Sequence, residues 1–336
     1  MASPIAPAPY KLTPLHRLFG AVVEGLDLRD PQAISAATVE AIRQDLLVHR
    51  LLLFRHEGAT VSAAAQLRVS RWFGEVQSTF YRHPASPHRD VFRVSNDEAE
   101  GCQQVGRSGW HIDGSFMDRP FKVQTMTFES ASAGGATMFS PLRELVESLA
   151  QEKRQEWGEL SYVAGSNEAA LVHPLLCVHP ETGDATMCFH CGPGFVNSLV
   201  RGYDHSDRGG GGGGGEGEVG EASCKAGEGR DIACAEATTK EVYDFHRTRA
   251  VLAELTGFLE AEDRVLRLEW QVGDFALIDN LAVGHYASPE TQLPRDEVGL
   301  RVLHRTTVGG DTMPVPLDSH GRWGGQGGEE GGGKKT

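Results

Sequence analysis

The sequence predicts a mainly β fold with flanking helices, a sandwich or barrel, and not a doubly wound sheet. Three observations predict it. Helix signals stand early and late in the chain, while short strand-like runs bounded by Gly, Pro, Asn and Asp fill a turn-rich middle. The two kinds of segment do not alternate one for one, as a parallel α/β sheet requires. No apolar run approaches the ~20 residues a membrane-spanning helix needs, so the apolar segments are there to build a core.

Near the N-terminus Ser35 can cap a helix whose apolar positions Val39, Ile42, Leu46 and Leu47 recur at helical spacing. It feeds Leu51-Leu52-Leu53-Phe54, a continuous apolar run suited to a strand buried on both faces. A second helix is expected from Ser62 to Gly74. A third is expected with Ser140 as N-cap and Pro141 at its first position. A fourth should begin near Thr239 and turn Val242, Phe245, Leu252, Leu255 and Leu259 inward. Val172–Cys177 and Ala185–Phe189 flank a turn at Glu181-Thr182-Gly183-Asp184 and read as a hairpin. Val265–Trp270, Phe275–Ile278 and Leu300–Val308 complete the strands.

The 336 residues contain no internal repeat and read as one domain, 1–319, interrupted by a Gly-rich insertion at about 204–236 and followed by a tail, 320–336. The insertion holds seven consecutive glycines, Gly209 to Gly215; it lacks the Lys-Ser/Thr ending of a phosphate loop and reads as disordered, as does the tail. The 46 acidic residues against 32 basic, a net charge of −14, argue against a nucleic-acid partner. Six unevenly spaced cysteines make no disulfide framework, and MASPIAPAPYKL places proline where a signal peptide would carry its apolar stretch. The expectation is a cytoplasmic enzyme acting on a small molecule, with organellar targeting and homo-oligomerisation left open, and no membrane partner.

The chemistry concentrates around Gly109-Trp110-His111-Ile112-Asp113. On an extended strand His111 and Asp113 project to one face, two thirds of the triad that holds non-haem iron. Alone, His-x-Asp is a weak signal in a chain with 14 histidines. A third ligand is offered by His285, just past the Phe275–Ile278 strand. Downstream, Arg301 and Arg305 lie four apart on an expected strand and share a face, where guanidinium forks suit carboxylates. His304 should face the other way. Cys188-Phe189-His190-Cys191 is a lone C-x-x-C that could bind structural zinc, but core packing is the stronger reading.

Together, His111-x-Asp113, the distal His285 in Asp279-Asn280-…-His285-Tyr286-Ala287, and Arg301-Val302-Leu303-His304-Arg305 resemble the taurine dioxygenase (TauD/TfdA) family of Fe(II)/2-oxoglutarate-dependent oxygenases. Further matches are Phe19-Gly20-Ala21, Arg71-Trp72-Phe73-Gly74-Glu75, Gly134-Gly135-Ala136-Thr137 and His179-Pro180-Glu181-Thr182-Gly183. The resemblance implies a double-stranded β-helix (jelly roll) that uses Fe(II), 2-oxoglutarate and O2 and releases succinate and CO2. It implies that His111, Asp113 and His285 hold the metal and that Thr137 and Arg301 hold the distal carboxylate of 2-oxoglutarate. Arg305 falls beside both the co-substrate and the primary substrate. With Asp113 present, hydroxylation is implied over halogenation. Two positions depart from the sulfonate-using members: Gln77 replaces a substrate-touching histidine, and Arg107 lies in a segment of different composition. The substrate is therefore read only as small and anionic, with Gln77, Arg107 and Arg305 as candidate contacts. The alternative is a catalytically silent jelly roll that binds a ligand or partner.

Overall fold

The computed structural model describes residues 9–77, 82–164, 171–205 and 240–317. The expected insertion, from residue 206 onward, and the expected tail lie outside the described residues.

The largest wall is an eight-stranded sheet in the order Lys11–Pro14, Ala21–Glu24, Leu51–Arg55, Asp274–Asp279, Val123–Ser130, Val302–Val308 and Val76–Gln77, with Phe92–Ser95 also on Val302–Val308. Its pairings are antiparallel apart from Ala21–Glu24 beside Leu51–Arg55. A second sheet joins Leu266–Glu269, Ala136–Pro141 and Val283–Ala287. A third joins Glu241–Val242, Val196–Arg201, Leu160–Ala164 and Leu171–Pro174, and a fourth joins Ala185–Met187, Leu176–Val178 and Val315–Pro316.

The apolar run Leu51–Phe54 explains how the layers are held. Successive strand residues point to opposite faces. Leu51 and Leu53 meet Phe128, Phe139, Trp270 and Leu303 between the large and second sheets, whereas Leu52 and Phe54 meet Ile42, Leu46, Val69 and Phe275 beneath two helices. All four are fully buried, each contributing about 1.5–3 kcal/mol of burial. A third core gathers Trp110, Trp157, Tyr162, Phe189, Leu252 and Leu255 under the helices Leu142–Ser148 and Phe245–Leu259.

The first two helices follow the sequence reading. Ala36–His49 is capped by Ser35, whose hydroxyl accepts from the Thr38 N–H, and Ala63–Ser70 by Ser62, which accepts from Ala65. The second helix stops at Ser70, short of Gly74, because the chain leaves in a turn through Trp72 and Phe73. Two helix starts need correction. Ser140 is a buried strand residue paired with Gly284, so the third helix begins at Leu142 without a side-chain cap. The fourth begins at Phe245 with Asp244 as its cap; Val242 lies in a strand and, like Phe245, is exposed, while Leu252, Leu255 and Leu259 are buried as expected. The expected Val172–Cys177 strand is split at Leu175 between two sheets, and its second half forms the hairpin with Ala185–Met187. No helix of the described residues is long and apolar enough to cross a membrane.

Candidate active site

His285 is fixed by the Val283–Ala287 strand, where it pairs with Phe139. His111 does not sit in a long strand as expected; it forms single bridges, with His285 on one side and His190 on the other. The side-chain expectation holds nonetheless. One ligand-capable atom each from His111, Asp113 and His285 lie within 4.8 Å of one another. Asp113 Oδ1 is 3.7 Å from His111 Nε2, and Oδ2 is 3.7 Å from His285 Nε2.

The protonation of this cluster suits a divalent cation. His111 Nδ1 lies 2.7 Å from the Gly109 carbonyl, a contact only an N–H can make, which leaves the Nε2 lone pair toward Asp113. Burial, reinforced by His285, pushes His111 down to about 3, so the ring is neutral. Burial alone would raise the Asp113 carboxyl. Arg305, with His285 and His111, more than offsets this and holds it well below the carboxylate range. Neutral imidazole and ionised carboxylate are the forms that bind metal. His285 Nε2 is buried with no hydrogen-bond partner among the described residues, as a ligand atom awaiting an ion would be. Two histidines and one carboxylate are the donor set of non-haem Fe(II), so the residues fit iron.

Asp113 is fixed from behind by Asn280, which sequence reasoning missed. The Asn280 Oδ1 accepts from the Asp113 N–H at 2.8 Å, and its Nδ2 donates to the Asp113 carbonyl at 2.9 Å and the Phe121 carbonyl at 2.6 Å. This amide is wholly buried. His190, also missed, stacks on His111. Its Cys188 and Cys191 neighbours are core residues, and the His111, Asp113 and His285 cluster is the one metal-capable group among the described residues.

Arg301, just before the Val302–Val308 strand, lies over the Phe128 ring and Arg305 over Phe92, two rings of one core cluster, while His304 meets Arg93 and Glu129 instead. Arg305 donates to Asp113 Oδ2 at 2.7 Å, and its Nε is buried without a hydrogen-bond partner among the described residues. Arg301 makes no side-chain hydrogen bond or ion pair among the described residues, and its Nε is buried. Desolvation lowers it to about 10, and its guanidinium lies over the Phe128 ring at 5.0 Å. Phe128 stacks on Trp270 at 4.4 Å, and the Trp270 indole N–H donates to Thr137 Oγ1 at 3.0 Å. Because indole only donates, the Thr137 hydroxyl proton stays available to an acceptor. Gly135 brings this strand against Arg301: a Cβ there would lie 3.4 Å from Arg301 Cδ. A buried, unpaired guanidinium costs free energy unless an anion joins it, and a carboxylate of a bound molecule suits that place.

Two expected contacts are not brought to the cluster. Gln77 is exposed at the end of the large sheet, its carbonyl accepting from the Thr307 hydroxyl at 2.8 Å. Arg107 donates to Gln104 at 2.8 Å. Neither bonds to His111, Asp113 or His285 among the described residues.

Residues 11–307 match the family described as taurine catabolism dioxygenase TauD, TfdA family. The chain is 24% identical to an alpha-ketoglutarate-dependent sulfate ester dioxygenase of Pseudomonas putida, over 94% of this chain and 95% of that protein. It is 26% identical to an alpha-ketoglutarate-dependent 2,4-dichlorophenoxyacetate dioxygenase of Cupriavidus pinatubonensis, over 81% and 90%. Among solved structures, a taurine dioxygenase from Burkholderia xenovorans superposes with a TM-score of 0.65 at 24% identity, covering 94% of this chain and 93% of that one. The fold is thus the jelly roll of those enzymes, and the catalytically silent alternative is set aside. The chain belongs to the TauD/TfdA family and is an Fe(II)/2-oxoglutarate-dependent dioxygenase, an oxidoreductase that uses O2.

Proposed function

We propose that His111, Asp113 and His285 hold the Fe(II), that Arg301 and Thr137 grip the distal carboxylate of 2-oxoglutarate, and that the enzyme hydroxylates a small organic anion engaged by Arg305. The observation that carries this reading is the pairing of a compact His-Asp-His cluster with a buried arginine that has no counter-ion among the described residues. When bound, iron and 2-oxoglutarate supply the oxidation of a substrate C–H bond by O2, coupled to release of succinate and CO2.

The chain's own residues bind and orient. Gly109 holds His111 in the tautomer with a free Nε2, and Asn280 fixes the Asp113 backbone at both its N–H and its carbonyl. Arg301 supplies a rigid fork to a carboxylate, the Thr137 hydroxyl proton a further donor, and Trp270 keeps that hydroxyl turned toward its task. Arg305 spends one N–H on Asp113 and keeps its buried Nε for an incoming anion. The anionic preference is supported by that guanidinium and by relatives named for sulfate esters and 2,4-dichlorophenoxyacetate. Hydroxylation next to a heteroatom would fragment the product, as in desulfonation or ether cleavage.

Residues 1–319 act as one catalytic domain in this reading, because His111 and Asp113 precede the 204–236 segment and His285 and Arg305 follow it, yet these four meet at one site. A reducing, cytoplasmic setting fits Cys102, Cys177 and Cys191, which form no disulfide among the described residues. The test is succinate formation across matched pairs of organic anions and their neutral esters or amides. Stimulation by anions alone supports the assignment of Arg305, and equal stimulation by the neutral partners overturns it.

A further inference from the structure

We infer that His190 is a positioning residue of the metal centre: its ring, stacked on His111, holds that ligand in the plane that aims Nε2 at the metal. The inference rests on the reading of His111 as a metal ligand.

Three extended segments lie side by side here. The His111 N–H donates to the His285 carbonyl at 3.1 Å and the His285 N–H returns a bond to the His111 carbonyl at 2.9 Å. On the other side, the Cys191 N–H donates to the Trp110 carbonyl at 2.8 Å and the Ile112 N–H to the Phe189 carbonyl at 3.3 Å. Residues directly opposite in antiparallel segments project to the same face. His190, His111 and His285 therefore stand in a row. The His190 and His111 rings are 4.8 Å apart and within 16° of parallel, while His285 meets His111 at 54°. Phe195 closes the far side of His190 at 4.1 Å and 7°.

His190 is built to offer its face and not a ligand atom. Its Nδ1 accepts from the Gly192 N–H at 2.9 Å, which puts the proton on Nε2, 3.4 Å from Ser108 Oγ. Two glycines let the segments close to this distance. A Cβ on Gly109 would lie 3.0 Å from the Gly192 nitrogen, and one on Gly192 would lie 2.2 Å from the Ser108 carbonyl oxygen. The same Gly109 supplies the carbonyl that binds His111 Nδ1. One edge of the His111 ring is thus held by a hydrogen bond and its plane by the His190 stack. Simple space-filling would be satisfied by any apolar side chain of similar volume; orientation of His111 needs a flat one.

The test titrates metal-free protein with Co(II) and follows the visible d–d bands for wild type, His190→Phe and His190→Leu, with folding checked by circular dichroism and denaturant midpoint. Loss of an outer-shell partner of a ligand typically costs about 10–100-fold in metal affinity, so Leu should bind Co(II) at least ~10-fold more weakly with altered bands, while Phe stays within about 2-fold of wild type. Leu binding as tightly as Phe, or Phe as weakly as Leu, would overturn the role of the stack. Failure of folded wild type to bind Co(II) at all would instead overturn the triad on which the inference rests. Both variants fill the site, so the comparison does not depend on a cavity-forming substitution.

Discussion

Asp113 and Arg305 form a buried ion pair whose members depend on each other. Asp113→Asn leaves the Arg305 guanidinium uncompensated, and removal of one partner of such a pair costs about 3–5 kcal/mol. Urea unfolding of the metal-free variant should show that loss, and assay with added Fe(II) should show 2-oxoglutarate turnover abolished; unchanged stability would mean the pair is not formed. At the keto-acid end, Arg301→Lys keeps the charge but loses the fork, so the KM for 2-oxoglutarate should rise about 10-fold or more with a smaller change in kcat. Trp270→Phe retains the stack on Phe128 while removing the N–H on Thr137, and should raise the same KM by a few-fold only. These residues were legible as motif and spacing, His111-x-Asp113 and Arg301 four before Arg305, although only Arg305 of the four stands inside a strand; His111 forms single bridges, Asp113 lies in a turn and Arg301 just precedes Val302–Val308. Asn280 and His190 were not. Their contacts arise from pairing between segments distant in sequence, and the C-x-x-C frame around His190 draws attention to the cysteines.

At the scale of elements, local chemistry was readable where it alone decides the outcome. The caps Ser35 and Ser62 bond to their own helices, and Leu51–Phe54 is the doubly buried strand its composition suggests. Ser140 carries the same cap signature but is overruled by sheet pairing with Gly284, and its hydroxyl is buried without a hydrogen-bond partner among the described residues. The two serines should therefore respond oppositely to alanine. Ser35→Ala should cost about 1 kcal/mol, whereas Ser140→Ala should be neutral or stabilising because it removes an unsatisfied buried hydroxyl. Chemical denaturation of both variants checks this, and a clear loss at Ser140 would restore it as a helix cap.

On the scale of the whole molecule, burial sets the sign of one pH effect. Desolvation, with the Arg93 charge second, lowers His304 to about 4 in the folded chain. A histidine depressed on folding contributes stability that is full above its unfolded value of about 6.5 and is lost as pH falls toward the folded value. Denaturant midpoints should accordingly drop between pH 7.5 and pH 4.5, less steeply in His304→Gln; equal slopes would remove His304 as a cause. The measurement closest to the central claim is made without oxygen. Fe(II) and then 2-oxoglutarate are added to wild type and to Arg301→Ala, and the weak visible charge-transfer band of the iron–keto-acid chelate is recorded. The His111, Asp113, His285 and Arg301 assignments predict the band in wild type and its loss, at the same keto-acid concentration, in the variant. A folded, iron-loaded wild type without the band, or a variant indistinguishable from it, would contradict them.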